Sequence, residues 1–436
     1  MKRDPDFDWA IVDDREKGIF RVNRRVFTED AVFEAERRAI FERCWLYAAH
    51  ESEVAASGAF VTRQVGGLPL IINRDRAGSI HAFFNSCPHR GAMVCREAKG
   101  KARSFTCPYH GWVFADDGRT INRPLPDSYT AACVEDPTLN LRPVPRFESF
   151  AGFLFVNYSP VSDGIGSLAD YLGGAGDYLK MIAEQDRDGM VIVGGAQTYS
   201  ARANWKLLQE NSADGYHAAT THSTYFDYIR NREGSVLDNF GKGFGRVRNL
   251  GNGHAVSESV DGTPWGRPLA RPMASFSDEI KDAMAAARSE LEARVGKERG
   301  EFICRSDRNM LIFPNLVVND IMGLTVRTYA PVSPGYFEVN AWALAPKNEA
   351  PILRELRLKN YLEFLGPAGF ATPDDQEMLE LCQRAYATNR FVEWNDLSRG
   401  MRTEESPAPA KQDELQMRTF WRRWKELMSA SEGALA

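Results

Sequence analysis

Hydrophobic and polar positions change rhythm twice along the chain. Between residues 26 and 56, Ala31, Phe33, Ala35, Ile40, Phe41 and Trp45 recur at roughly helical spacing, which predicts a helical N-terminal segment. From 58 to 157 the pattern shortens to the β runs FVTRQV, LPLIIN, IHAFF, WVFA and FLFVNY. Turn signals at Gly66-Gly67, Asp75 to Gly78 and Asp116-Asp117-Gly118 separate them. After Pro160 the two rhythms alternate, with strand-like runs at 190–203, 310–319, 322–331 and 336–346. Helical runs occupy 166–185, 204–218, 278–295, 351–365 and 374–390. Long β runs followed by other β runs predict an antiparallel sheet with helices packed on it, the α+β class. The expected division is a helical segment over 1–40 packed on the larger domain, a small all-β domain over 41–160, and a larger domain over 161–436. The small domain is inserted in, or precedes, the larger one, which is built on a twisted antiparallel sheet with covering helices. The tail ELQMRTFWRRWKELM predicts an amphipathic helix that docks or makes a subunit contact. Segment 225–300, rich in glycine and charge, reads as a cover over a pocket entrance or an exposed excursion.

Composition narrows the class. With 43% hydrophobic and 26% charged residues the chain can bury an ordinary globular core. Its formal net charge of -5 provides no basic footprint for nucleic acid. No run approaches the ~18 apolar residues of a membrane span. The start, MKRDPDFDWAIVDD, has no apolar stretch after its basic residues, so no signal peptide is expected. The seven cysteines are scattered and odd in number, unlike a secreted disulfide scaffold, and they point to a reducing cytoplasm.

Chemistry concentrates in CPHRGAMVCREAKGKARSFTCPYHGW. Cys87 and His89 stand two apart, Cys107 and His110 three apart, and each pair lies just before a glycine. Two thiolates and two imidazoles suit zinc, but zinc modules usually keep like ligands together. Here each cluster carries one Cys and one His. A [2Fe–2S] centre with two thiolates on one iron and two imidazoles on the other needs that mixture. Gly91 and Gly111 permit tight turns whose N–H groups could face cluster sulfurs, and Pro88 and Pro108 stiffen the loops.

The pair CPHRG and CPYHGW resembles the Rieske domain of ring-hydroxylating oxygenases, which implies a [2Fe–2S] cluster on Cys87, His89, Cys107 and His110. A recipient for its electrons is readable further on, in QENSADGYHAATTH over 209–222. Glu210, Asp214 and His217 fall at i, i+4 and i+7 on one helical stripe. His217 and His222 are five apart, about 140° around an ideal helix, so both reach one metal only where the helix loosens or ends. The β-branched Thr220 and Thr221 favour that. Two histidines need a carboxylate to make the facial triad of a non-haem Fe(II) oxygenase. GPAGFATPDDQEM offers Asp374 and Asp375, although Thr372 as N-cap, Pro373 at N1 and acids on the helix dipole explain the same residues. The residues leave the two open; the resemblance selects Asp375.

The resemblance spans nearly the whole chain and implies the large (alpha) subunit of an aromatic ring-hydroxylating dioxygenase. The register Glu210-Asn211-x-x-Asp214-Gly-Tyr-His217 resembles the benzoate/p-cumate-like branch, since naphthalene- and biphenyl-type enzymes carry one more residue there. That departure argues against an iron-proximal role for Asn211. By the same resemblance Asp214 links His217 to His110 of an adjacent subunit, which implies a homotrimer closed as a ring, with or without a small β subunit (α3β3). NADH electrons would arrive through a separate ferredoxin and/or flavin reductase. GKGFGRVRNLGNG lacks the strand-to-helix setting and downstream acid of a nicotinamide site. O2 would then add both atoms to adjacent ring carbons, giving a cis-dihydrodiol. A carboxylated ring calls for a cation, and Arg390 in NRFVEWNDLSRG is the candidate. Alternatives are monooxygenation or demethylation at the same iron, a Rieske electron carrier with no active second centre, and a zinc-stapled module. The last two leave DGYHAATTH unexplained.

Overall fold

A computed structural model describes residues 7–163, 165–234, 244–262, 265–406 and 409–430. The chain forms two compact units, one of residues 42–168 and one that joins 1–41 to 169–436. Part of the 225–300 segment, and residues 1–6, lie outside the described residues.

In the smaller unit all five β runs read from the sequence are strands. Ala59–Val65, Leu68–Arg74 and Ile80–Phe84 join Lys99–Lys101 in a four-stranded antiparallel sheet. Ser104–Thr106, Val113–Ala115 and Thr120–Asn122 form a second sheet. Between them Phe60, Ile71, Phe83, Phe105, Trp112 and Phe114 make a core that also encloses Cys87 and Cys107.

Two stretches read as helical are partly strands. Leu46–His50 pairs with Phe153–Asn157 and is buried at every position. A short run buried on both faces has no alternation to separate it from a helix. In the N-terminal segment, Ile11–Asp14 and Ile19–Asn23 form a hairpin joined by Trp394–Asp396. Asp30–Glu36, running into the wide helical turn Arg37–Phe41, is helical as expected, flanked by short helical turns at Arg24–Phe27 and Glu51–Val54. Its last residue, Glu36, is fully buried. Its carboxylate accepts from Trp205 Nε1 (2.9 Å) and Trp424 Nε1 (2.7 Å) and pairs with Lys206 Nζ at 2.7 Å.

The larger unit is built on a seven-stranded antiparallel sheet. Its strands are β1 (Met190–Ala201), β2 (Phe244–Gly251), β3 (His254–Val260), β4 (Ser306–Ile312), β5 (Leu316–Asp320), β6 (Leu324–Ser333) and β7 (Tyr336–Pro346), in the order β1-β7-β6-β5-β4-β3-β2. The run read as one strand at 310–319 is two, β4 and β5, because Phe313-Pro314-Asn315 turns between them and proline cannot serve a central ladder. The 225–300 segment supplies strands β2 and β3 rather than a simple excursion. Charges disguise them: Arg246, Glu258, Arg308 and Asp320 stand opposite one another across four strands. They pair as Arg246–Glu258 (2.5 Å) and Arg308–Asp320 (3.0 Å), so charged positions there are ladder contacts and not solvent positions.

The other face of the same strands lies beneath the site. Residues directly opposite in an antiparallel ladder share a face. Gly245, Ser259 and Asp307 are one such row, Asn309 and Asn319 the next, and Arg327 stands opposite Val317. Over this polar face lie helices α1 (Trp205–Asn211), α2 (Ala218–Thr221), α3 (Ser223–Glu233) and α4 (Ala371–Ala385). The tail is α5 (Leu415–Ala430), docked through buried Phe420, Trp421 and Trp424.

Candidate iron centres

In the smaller unit the two ligand loops are built alike. Cys87 N–H donates to Ala92 O and Gly91 N–H to Cys87 O, each at 2.8 Å. Cys107 N–H donates to Trp112 O (2.8 Å) and Gly111 N–H to Cys107 O (3.0 Å). Both glycines have positive φ, 76° and 73°, as the tight turns require. Their N–H groups are spent on those carbonyls, a correction to the expectation that they face sulfur. The N–H groups that approach the Cys87 sulfur belong to His89 and Arg90. Burial pushes the Cys87 thiol up. Cys87 and Cys107 are buried, whereas His89 is exposed and stacks on Trp112 with ring centroids 5.1 Å apart. The rings of His89 and His110 are 4.5 Å apart. Paired thiols within the core and paired imidazoles nearer the surface match the donor set of a Rieske cluster.

The second centre forms where helix geometry breaks. Helix α1 ends at Asn211, and Asp214 lies on the turn that follows instead of on a continuing helical stripe. His217 caps the start of α2, and His222 (φ −100°, ψ 29°) separates α2 from α3. That break brings the two rings together: their Nε2 atoms are 3.3 Å apart, and each lies 3.3 Å from Asp375 Oδ1. Donors on adjacent corners around one ion with bonds of about 2.1 Å would lie about 3 Å apart, so the triangle fits a single metal. The remaining imidazole nitrogens face carboxylates, His217 Nδ1 to Asp214 Oδ2 at 2.9 Å and His222 Nδ1 to Asp374 Oδ2 at 3.4 Å. Such backing orients a metal-binding imidazole and raises its basicity.

Electrostatics agree. Burial disfavours the His217 imidazolium, yet Asp214 and Asp375 outweigh it and push its pKa up to about 10. Burial also works against the Asp375 carboxylate, yet His217 and His222 hold it well below the usual range. A cluster this hungry for positive charge suits a divalent cation.

Several residues differ from the sequence reading. The adjacent acids divide the work, Asp375 joining the triangle and Asp374 backing His222. Thr372 does not cap α4, which starts at Ala371; its hydroxyl donates to Leu365 O at 3.0 Å. Asn211 is beside the centre after all, its Nδ2 donating to Asp375 Oδ1 at 3.0 Å. Arg390 is not at the cavity: it is exposed, on a separate hollow with Asn23, Arg25 and Glu29.

The centre opens on a cavity of about 160 Å³ with Phe226, Trp265, Ile321, Met322 and Phe364 along its apolar wall. Its cations are Arg327 and Lys411. The buried arginines Arg267, Arg308, Arg357 and Arg418 each meet a carboxylate, at 3.1, 3.0, 2.6 and 2.8 Å. Arg327, 4% exposed, has no carboxylate within 4.0 Å among the described residues, and its Nε has no partner. The signal that could have revealed this face was the two-residue spacing of Asp307 and Asn309 on β4, obscured by Arg308 and Asp320 on the opposite face of the same strands.

Fold and site together define an oxygenase with two iron centres, a Rieske [2Fe–2S] cluster and a mononuclear iron. Residues 44–145 match the family of the Rieske [2Fe-2S] domain, and 191–430 match that of the ring hydroxylating alpha subunit (catalytic domain). The 2-halobenzoate 1,2-dioxygenase large subunit of Burkholderia cepacia is 35% identical over 395 residues, covering 90% of this chain and 82% of that one. The toluate 1,2-dioxygenase subunit alpha of Pseudomonas putida is 33% identical over 411 residues, with 90% and 84% covered. Among solved structures, naphthalene 1,2-dioxygenase with indole bound superposes with a TM-score of 0.83 at 27% identity, covering 100% of this chain and 96% of that one. The chain belongs to the Rieske-type ring-hydroxylating dioxygenase large (alpha) subunits. Reducing power in such systems comes from NADH through a separate reductase or ferredoxin.

Proposed function

We propose that this enzyme dihydroxylates a single aromatic ring bearing a carboxylate, to a cis-dihydrodiol, and that Arg327 receives the carboxylate. The observation that carries this is the buried, carboxylate-free guanidinium in the cavity wall beside the triad. The Arg327 guanidinium bonds the Tyr199 side chain but meets no counter-charge. A buried cation without a carboxylate is costly, and a substrate carboxylate that docks on it removes that cost. Cavity size supports one ring, since about 150 Å³ is enough for benzene. The relatives are named for 2-halobenzoate, toluate and anthranilate.

His217, His222 and Asp375 would hold the mononuclear iron and Cys87, His89, Cys107 and His110 the cluster. Bound there, the two groups supply dioxygen activation and single-electron delivery. The chain's own residues do the rest. Asp214 and Asp374 fix the ring orientations of His217 and His222. Phe226, Trp265 and Phe364 exclude water and flank the ring. In the proposed cytoplasmic homotrimer, with or without a small β subunit, Asp214 links His217 to His110 of the adjacent copy.

Product analysis after a single turnover of the chemically reduced holoenzyme tests the reading. Benzoate and the toluates should give cis-dihydrodiols, and toluene and naphthalene little product. Arg327→Met should raise KM for benzoate about 100-fold, the scale of a lost charge-assisted hydrogen-bond pair. Equal turnover of neutral arenes and benzoates, or an unchanged KM in the variant, would defeat it.

A further inference from the structure

At the far end of the same cavity a second polar group has no role in the reading above. Asp307, on β4, is 6% exposed, lines the cavity, and accepts no hydrogen bond among the described residues. Its nearest cation, Arg267 Nε, is 3.8 Å away, and that guanidinium is committed through Nη1 to Asp320 and through Nη2 to the carbonyls of Ile303, Cys304 and Ser306. Across the slot stands Lys411, whose Nζ donates to Ser259 Oγ at 2.6 Å. Ser259 is the residue opposite Asp307 in the ladder. No ion pair joins Lys411 to Asp307 within 4.0 Å among the described residues, and both line the cavity.

Glycines make room for the lysine there. A Cβ on Gly245 would meet Lys411 Cβ at 2.9 Å, and one on Gly215 would meet Lys411 O at 2.8 Å. A side chain at either place would displace the lysine from the wall. A Cβ on Gly262 would lie 3.6 Å from Asp307 Oδ2, so that glycine leaves the space beside the carboxylate free of its own side chain. Burial pushes the Asp307 carboxyl up to about 6 against the pull of Arg267 and Lys411, and it lowers the Lys411 ammonium. Both groups are therefore desolvated and short of partners.

This end is distinct from the Arg327 end. Continuing the β4–β5 and β5–β6 registers by one residue sets Asp307 level with Ile321 and Gly323, four residues from Arg327. Strand spacing of about 4.8 Å and rise of about 3.3 Å put the two Cα atoms roughly 16 Å apart, with both side chains reaching inward. A ring held by its carboxylate at Arg327 would present its other edge to the slot.

The occupant must satisfy both walls. A second carboxylate would be repelled by Asp307. A methyl or halogen would leave both groups unpaired. An arylamine can donate to Asp307 but is a poor acceptor for Lys411. A hydroxyl accepts from an ammonium and donates to a carboxylate at once. We infer that the preferred substrate is a hydroxy-substituted aromatic carboxylate whose ring hydroxyl bridges Lys411 and Asp307. This rests on the benzoate-type reading and adds the second substituent to it.

The test is single-turnover kcat/KM of the iron-replete enzyme with benzoate, the three hydroxybenzoates and the three aminobenzoates. One hydroxybenzoate isomer should exceed benzoate and every aminobenzoate by at least ~10-fold, because a site built around a hydroxyl rejects analogues that lack it. In Asp307→Leu, and separately in Lys411→Met, the hydroxybenzoate-to-benzoate ratio should fall towards one. Folding of each variant is judged by its melting curve and [2Fe–2S] absorbance, and the wild-type panel decides alone if neither variant folds. The inference is overturned if benzoate or an aminobenzoate is the best substrate, or if the ratio survives in a folded variant. Turnover of benzoate without hydroxyl preference sinks only this inference. Failure with every arene at full iron content sinks the benzoate-type reading beneath it.

Discussion

At the scale of single residues, each histidine of the mononuclear centre carries two jobs on two nitrogens. His217 offers Nε2 to the triangle while Nδ1 is held by Asp214 at 2.9 Å, and His222 is placed likewise against Asp374. Removing the donor and removing the backing should therefore look different. His217→Ala should lower iron from three to two per chain, leave the [2Fe–2S] absorbance intact, and abolish product. Asp214→Asn should retain most of the third iron yet slow turnover roughly 10–100-fold, the usual cost of losing such a partner. Metal analysis beside single-turnover product yield checks both. Three irons in His217→Ala would remove that residue from the ligand set.

Elements decide whether those residues can meet. The stop between α2 and α3 at His222 lets donors five apart in sequence converge, which a straight helix would forbid. A second constraint is Glu36, the final residue of Asp30–Glu36, which gathers Trp205, Lys206 and Trp424. That ties the N-terminal segment to α1, the helix ending at Asn211, and to α5. Glu36→Ala would strand a fully buried ammonium and two indole N–H groups. A loss of about 3–5 kcal/mol is expected, visible as a drop in melting temperature. A drop within experimental error would show that the cluster does not anchor these elements.

Across the whole molecule, stability should depend on pH through buried groups of opposite sign. His254 is fully buried and neutral, its Nε2 donating to Tyr171 O (2.9 Å) and its Nδ1 accepting from Phe313 N–H (3.0 Å). Burial lowers its pKa to about 4, below the unfolded value near 6.5. Its contribution is therefore present above pH 6.5 and lost as pH falls towards 4. Asp307 works the other way, with stability present below about 4 and lost by about 6. Raw melting curves mix the two, and a difference separates them. His254→Gln should be less stable than wild type at pH 7.5, and the gap should narrow by about 2 kcal/mol at pH 5. A gap that stays constant would mean that His254 does not titrate with folding.

The sequence alone determined what could be written locally: the β runs of the small unit, the Cys-x-His and Cys-x-x-His loops, and a histidine pair whose spacing demanded a broken helix. Ligand chemistry needs particular residue types at short, fixed separations, and those survive as motifs. Tertiary structure decided the rest. Asp375 reaches His217 across more than 150 residues, and the adjacent acids differ only in which side of α4 they occupy. Arg327, Asp307 and Lys411 come to line one cavity only after β4 to β6 pair and a loop before α5 folds back. The choice of Arg390 failed for that reason: nearness in sequence to Asp375 says nothing about which surface a side chain faces. Which buried charge lacks a counter-charge is a property of packing, and no window of residues contains it.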